Sequence, residues 1–182
     1  MLLGLSGKIG SGKDYIASNF FLKKNDKKVL LVAFADFLKL EYGIQNKVSY
    51  DKLYVNKDSK SRIGLQTSSE YYKQKYGDNY YIDALDLFIK IHQNKNNIDF
   101  FVITDVRYPN EYNYIKKMGG KIYRINAPDR TLIKIKKETN NNKEKMQKIM
   151  SHSSEICLDN YSFDATIDNT IGTNIKKQLQ II

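Results

Sequence analysis

Cysteine is nearly absent from this chain of 182 residues. Cys157 stands alone, so no internal disulfide can form, and nothing around it has the spacing of a metal knot. Its ordinary reading is a small, buried or half-buried side chain. Long apolar runs are missing too. No stretch of eighteen apolar residues occurs, and Met1-Leu2-Leu3-Gly4 lacks the basic start and cleavage site of a signal peptide. Neither a membrane span nor export is indicated, and a cytoplasmic location is expected. Arginine is scarce: of 30 cationic residues only Arg62, Arg107, Arg124 and Arg130 are arginine. Where lysine is the default cation, an arginine marks a place that needs a flat, forked, bidentate donor.

What is present bounds the rest. The length suits one α/β domain with a proper core and is too short for two ordinary ones. The net charge of +10 is carried by lysines spread through the chain among asparagines. Such a surplus suits nucleic acid and small polyanionic nucleotides equally, so charge alone separates nothing.

The most informative stretch is the first. Leu2-Leu3-Gly4-Leu5-Ser6 reads as a buried strand, and it runs into Gly7-Lys8-Ile9-Gly10-Ser11-Gly12-Lys13-Asp14, which matches the G-x-x-x-x-G-K pattern of a phosphate-binding loop. Tyr15, Ile16, Phe20 and Phe21 then repeat as a helix does. The chemistry explains the residue types: backbone N–H groups can line a phosphate only where no Cβ intrudes, and the following helix presents its positive end to the anion. Gly7, Gly10, Ser11, Gly12 and Lys13 are therefore expected around the phosphates, with Lys13 on the β- and γ-phosphates. Asp14 occupies the position that usually carries a magnesium-binding Ser or Thr; its carboxylate can hold Mg²⁺ directly or through water.

Further along, Val29 to Phe34 has the look of a strand buried on both faces, and Asp36 to Tyr42 of a short helix. Lys47 to Lys57 reads as a polar loop. Ser59 to Tyr76 and Tyr80 to His92 read as helices, Asp99 to Thr104 as a strand closing on Asp105, and Pro109 as the first turn of a helix to about Met118. Gly119-Gly120 stops that helix. Lys121 to Asn126 is a fourth strand, left at Pro128; Ser162 to Asp168 is a fifth; Thr173 to Ile182 is a closing helix. The lysine- and asparagine-rich stretch of about 129–155 is expected to be a mobile lid. The pattern predicts an α/β fold: a five-stranded parallel sheet with helices on both faces and ligands at the carboxyl ends of its strands.

Several landmarks, in order and spanning nearly the whole chain, resemble the deoxynucleoside monophosphate kinases of the phage and large-virus type, a branch of the phosphate-loop kinases. They are Ser6-Gly7 through Gly12-Lys13-Asp14, Phe34-Ala35-Asp36-Phe37-Leu38-Lys39, Leu65-Gln66 before Tyr80 to Leu85, Ile103-Thr104-Asp105-Val106-Arg107-Tyr108-Pro109-Asn110-Glu111, His152 to Glu155, and Phe163 to Asn169. The animal-type phosphomevalonate kinases share the Ser-Gly-Lys-Asp run, an Asp-x-Arg after the third strand, and Ser-Glu-x-x-Leu-Asp-Asn near the end.

The resemblance implies a single kinase domain over 1–182, with an acceptor-binding region of about 36–93, ATP and Mg²⁺ as cofactors, and a deoxynucleoside monophosphate (dNMP) as acceptor. It implies catalytic roles for Lys13, Arg107, Arg130 and Asp105, with Arg107 bridging the phosphates and Arg130 swinging in with the lid. Metal ligands would be Asp14 and Asp105, and Asn169 would meet the adenine. Asp36, Lys39, Arg62, Gln66, Tyr72, Arg107, Glu111 and Glu155 would face the acceptor. No stable nucleic-acid or membrane partner is implied, and a homodimer is compatible with the family. Two other functions remain open on the sequence: transfer to another small phosphorylated acceptor such as phosphomevalonate, and non-enzymatic binding of nucleotides or nucleic acid.

Overall fold

The computed structural model describes residues 1–23, 27–55 and 59–179, with every side chain in them except those of Ser59, Lys60 and Arg62. The chain divides into two compact units, Met1–Val32 with Asn97–Ile182, and Ala33–Asn96.

The first unit is built on five parallel strands, β1 (Leu2–Ser6), β2 (Val29–Val32), β3 (Phe100–Val106), β4 (Lys121–Asn126) and β5 (Ala165–Asp168), in the order β2-β3-β1-β4-β5. β1 is central. It pairs with β3 on one side, Leu3 against Val102, and with β4 on the other, Leu5 against Tyr123. All five β1 residues are buried, as a strand covered on both faces requires. β2 departs from that expectation: it ends at Val32, lies at the edge of the sheet, and buries fully only its last residue. Phe34 is already helical.

Strand alternation sends Leu3, Leu5, Val102, Tyr123, Ile125 and Ile167 to one face. There they pack with Ile16, Ala17 and Phe21 of the first helical segment and with Ile175. That segment is α1 (Lys13–Ile16), which continues as a π-helical turn (Ala17–Phe21); Ile175 opens α9 (Ile175–Leu179). Each large side chain fully buried there contributes about 1.5–3 kcal/mol. On the opposite face α5 (Pro109–Lys117) lies so close that a Cβ at Gly4 would stand 2.8 Å from Ile115 Cδ1.

Proline marks helix starts. Pro109 opens α5 and Pro128 opens α6 (Pro128–Thr139), where the absent N–H costs nothing and φ is already helical. Pro128 thus both leaves β4 and begins a helix. The stretch expected to be a lid is mostly helical: α6, α7 (Lys143–Met150) and α8 (Ser153–Ile156), with Ile135 buried. Asn140 and Asn141 adopt positive φ between α6 and α7, and Asn142 Oδ1 caps α7 by accepting from Lys145 N–H at 3.0 Å.

The second unit holds α2 (Phe34–Asn46), α3 (Ser59–Tyr76) and α4 (Tyr80–Asn96), with a π-helical turn at Asp51–Val55 inside the stretch expected to be a loop. α2 runs four residues beyond Tyr42 because Lys47, in the left-handed region, ends it. Gly64 lets α3 close on α2: a Cβ there would overlap the Tyr42 hydroxyl. Tyr72, Tyr76 and Tyr80 stack in parallel, and Tyr80 donates to Glu41 Oε1 at 2.7 Å. That bond pushes the Tyr80 phenol up to about 12. Among the described residues no helix is long and apolar enough to cross a membrane.

Candidate active site

β1 ends at Ser6, and the next residues turn back over the carboxyl edge of the sheet into α1. The turn demands glycine where it is tightest. Gly12 has φ +89, and a Cβ there would overlap Asn169 Nδ2; Gly10 has φ +73, and a Cβ would lie 2.7 Å from Lys134 Cβ. Asn169 follows β5. Its side-chain amide donates to the Ser11 carbonyl at 2.8 Å and is buried, so the loop is held from behind by the far end of the chain.

Lys13 turns back into the loop. Its ammonium donates to the carbonyls of Gly7 at 2.7 Å and Lys8 at 3.0 Å. Burial, and then the charge of Arg107, pull it from its ordinary 10.5 down to about 8, against the opposite pull of Glu155, Asp14 and Asp105. Arg107, Asp14 and Asp105 thus lie within electrostatic reach of one lysine.

Asp14 is exposed in the first turn of α1, and Asp105 is half-buried near the end of β3. Among the described residues no group of three or more His, Cys, Asp and Glu side chains is placed to hold a metal ion. Each of the two carboxylates acts on the charge of Lys13, and carboxylate oxygen is the donor type that Mg²⁺ takes alongside water and phosphate oxygens.

Arg107 leaves β3 directly after Val106. Its main-chain N–H and that of Tyr108 donate to Glu111 Oε2 at 2.7 and 3.0 Å. Glu111, expected to face the acceptor, is the cap of α5. Arg107 Nη1 donates to Glu155 Oε1 at 2.9 Å, while Glu155 Oε2 accepts from the Ile9 N–H at 2.7 Å. Glu155, also expected at the acceptor, is therefore a buried brace between an arginine and the phosphate loop.

The residues that sequence reasoning missed adjoin this brace. Lys8 Nζ donates to the Glu155 carbonyl at 3.0 Å and to Asp159 Oδ2 at 2.6 Å. Asp159 Oδ1 accepts from Arg124, whose other terminal nitrogen reaches Ser6 Oγ at 3.1 Å. The four-residue spacing of Glu155 and Asp159 was the available signal, since it sets both carboxylates on one side of a helical turn.

Arg130 is exposed and donates through Nε to the Asn169 carbonyl at 2.7 Å. Next to it Asp129 accepts from Ile171 N–H at 2.7 Å, the bond that chiefly lowers its carboxyl. The start of α6 thus clasps the loop after β5.

In the second unit, Asp36 Oδ2 accepts from the Ala33 N–H at 3.0 Å, while Oδ1 takes Lys39 Nζ at 3.1 Å and the Tyr54 hydroxyl at 3.0 Å. Lys39 also lies 4.0 Å from the Tyr54 ring centroid, and Tyr54 stacks on Tyr50 at 4.7 Å. Gln66 is exposed. Tyr72 is buried among the tyrosines with its hydroxyl bonded to Gln45, so packing occupies it. The Arg62 side chain lies outside the described residues.

A family model described as phosphomevalonate kinase matches residues 5–121, from the end of β1 through the start of β4. The chain belongs to the phosphomevalonate kinase family. That span holds the phosphate loop, Asp105 and Arg107, and its Asp-x-Arg at the end of β3 is the one shared with that branch on sequence. No curated protein sequence matches the chain. Among solved structures, the TT1252 protein from Thermus thermophilus is 14% identical with a TM-score of 0.50, covering 100% of this chain and 95% of that one. Shikimate kinase from Aquifex aeolicus is 11% identical at 0.47, covering 100% and 94%. The Mycobacterium tuberculosis APS kinase CysC, in complex with AMPPNP and APS, is 12% identical at 0.45, covering 99% and 93%. This member of the phosphomevalonate kinase family has the parallel sheet and surrounding helices of the phosphate-loop kinases, and it is a kinase of a small substrate.

Proposed function

We propose that the chain transfers the γ-phosphoryl group of ATP to a small acceptor that already carries a phosphate. The observation that supports this most is the meeting of a buried lysine, a glycine-bent loop and Arg107 at one carboxyl edge of the sheet. Transfer between two anions is limited by repulsion and alignment, so a site for it needs fixed cations and main-chain donors more than a general base.

In this reading the N–H groups from Gly10 to Asp14 receive the β- and γ-phosphates. Lys13 exchanges the carbonyls of Gly7 and Lys8 for phosphate oxygen, and Arg107 neutralises charge between donor and acceptor. Arg130 and Asn169 serve the adenosine end. Asp14 and Asp105 would hold Mg²⁺, which when bound neutralises the phosphates. Asp36, Lys39, Arg62 and Gln66 contact the acceptor, and the helices over 129–155 act as the lid of a single kinase domain.

The family match favours phosphomevalonate, or an aliphatic phosphate like it, as the acceptor. A second reading, a dNMP, has its own support. The stacked Tyr50 and Tyr54 beside Lys39 and Asp36 form an aromatic surface that a base can use and an aliphatic phosphate cannot. The order of the sequence runs points the same way.

Incubation with ATP and Mg²⁺ and, separately, 5-phosphomevalonate and the four dNMPs, with products read by mass spectrometry, decides between them. Diphosphomevalonate supports the first reading and a deoxynucleoside diphosphate the second. Failure to phosphorylate any of these acceptors contradicts both.

A further inference from the structure

We propose that Glu155 is a positioning residue that fixes Arg107 relative to the phosphate loop, and is not itself a substrate ligand. This rests on the kinase reading above. A carboxylate has two oxygens, and both are spent within the protein: Oε1 on Arg107 Nη1 at 2.9 Å and Oε2 on the Ile9 N–H at 2.7 Å. Only 6% of the residue is exposed, so little of it is left to meet a ligand. Burying that charge is costly unless both donors stay in place.

The two donors come from different strand ends. Ile9 belongs to the loop after β1, and Arg107 follows β3. One rigid side chain, delivered by α8 from a third direction, therefore sets the distance between the main-chain cradle and the guanidinium. Arg107 keeps one-third of its side chain exposed while so held, enough for an incoming phosphate to reach it. Lys8 strengthens the attachment by donating to the Glu155 carbonyl and to Asp159. These outer contacts are more exposed and contribute less, so the coupling is concentrated in the Glu155 carboxylate.

The chemistry of the side chain makes the proposal testable. Glutamine has one acceptor oxygen where glutamate has two, so in Glu155→Gln either Ile9 or Arg107 faces an NH₂ group instead of an acceptor. Misalignment of this kind lowers the rate of transfer far more than it lowers nucleotide binding.

The test is a cycle of Glu155→Gln and Arg107→Ala, with kcat measured on the acceptor found as above and ADP affinity measured by calorimetry. Glu155→Gln is expected to lower kcat about tenfold or more with ADP affinity within about threefold of the wild type. In the Arg107→Ala background the same change is expected to alter kcat less than about twofold. An equal loss in both backgrounds, or a loss of ADP affinity that matches the loss of kcat, overturns the proposal. If the wild type binds ADP yet phosphorylates none of these acceptors, the proposed function fails while the coupling stays measurable. ATP affinity, and not ADP affinity, then falls in Glu155→Gln only while Arg107 is present, and no such difference overturns the coupling as well.

Discussion

The side-chain amide of Asn169 donates at 2.8 Å to the carbonyl of Ser11, 158 residues earlier. The main-chain carbonyl of Asn169 meanwhile accepts from Arg130 Nε at 2.7 Å. One residue after the last strand therefore buttresses the first loop and anchors the start of α6. Asn169→Ala leaves a buried carbonyl without its donor and opens space beside Gly12. A destabilisation of about 1–3 kcal/mol is expected, with a weaker ADP-induced rise in melting temperature than in the wild type. Thermal melts with and without ADP check this, and unchanged melts in both conditions would contradict it.

Lys13 gives the phosphate loop a pH dependence of its own. Burial lowers its folded-state value from 10.5 to about 8, so the folded protein releases this proton more readily than the unfolded chain does. The group costs stability below about pH 8, and that cost fades as the pH rises from about 8 towards 10.5. A bound polyphosphate favours the ammonium. ADP binding above pH 8 should therefore take up a proton and weaken by up to about tenfold per pH unit. Calorimetry in two buffers of different ionisation enthalpy reads the uptake directly. Lys13→Met should abolish the uptake without lowering the melting temperature of the free protein.

The contact between Gly64 and Tyr42 gives a prediction for the second unit. A Cβ at Gly64 would occupy the position of the Tyr42 hydroxyl, so Gly64→Val must part α2 from α3 or displace a buried ring. Overpacking of this kind costs about 1–3 kcal/mol. Chemical denaturation should show that loss. A second variant, Gly64→Val with Tyr42→Leu, should recover part of it, since the hydroxyl and both ring carbons that a Cβ would overlap are removed; no recovery would place the cause elsewhere.

The fold was legible where residue type and backbone demand coincide. β1 and β3 are largely apolar runs of strand length, and both prolines fall at helix starts. The limits of β2 were less so, because an edge strand and a buried one share the same apolar letters and only pairing distinguishes them. At the site, the loop with Lys13, and Asp105 with Arg107, are each read from spacing within a segment, and the structure sets these residues within electrostatic reach of one another. The partners of Glu155 do not: Ile9 contributes a main-chain N–H that no side-chain pattern records, and Arg107 lies 48 residues away. Glu111 and Tyr72 show the reverse case. Their types suit an acceptor site, but capping of α5 and tyrosine packing occupy them.

This loop and its lysine are proposed to hold ATP for transfer to a phosphorylated acceptor. ADP release from Mg²⁺·ATP, followed for the wild type and Lys13→Met with and without 5-phosphomevalonate or a dNMP, reads that transfer. Acceptor-dependent release by the wild type is expected, with a loss of at least about a hundredfold in a folded Lys13→Met protein. Equal rates in the two proteins, or release that is indifferent to every acceptor, would contradict it.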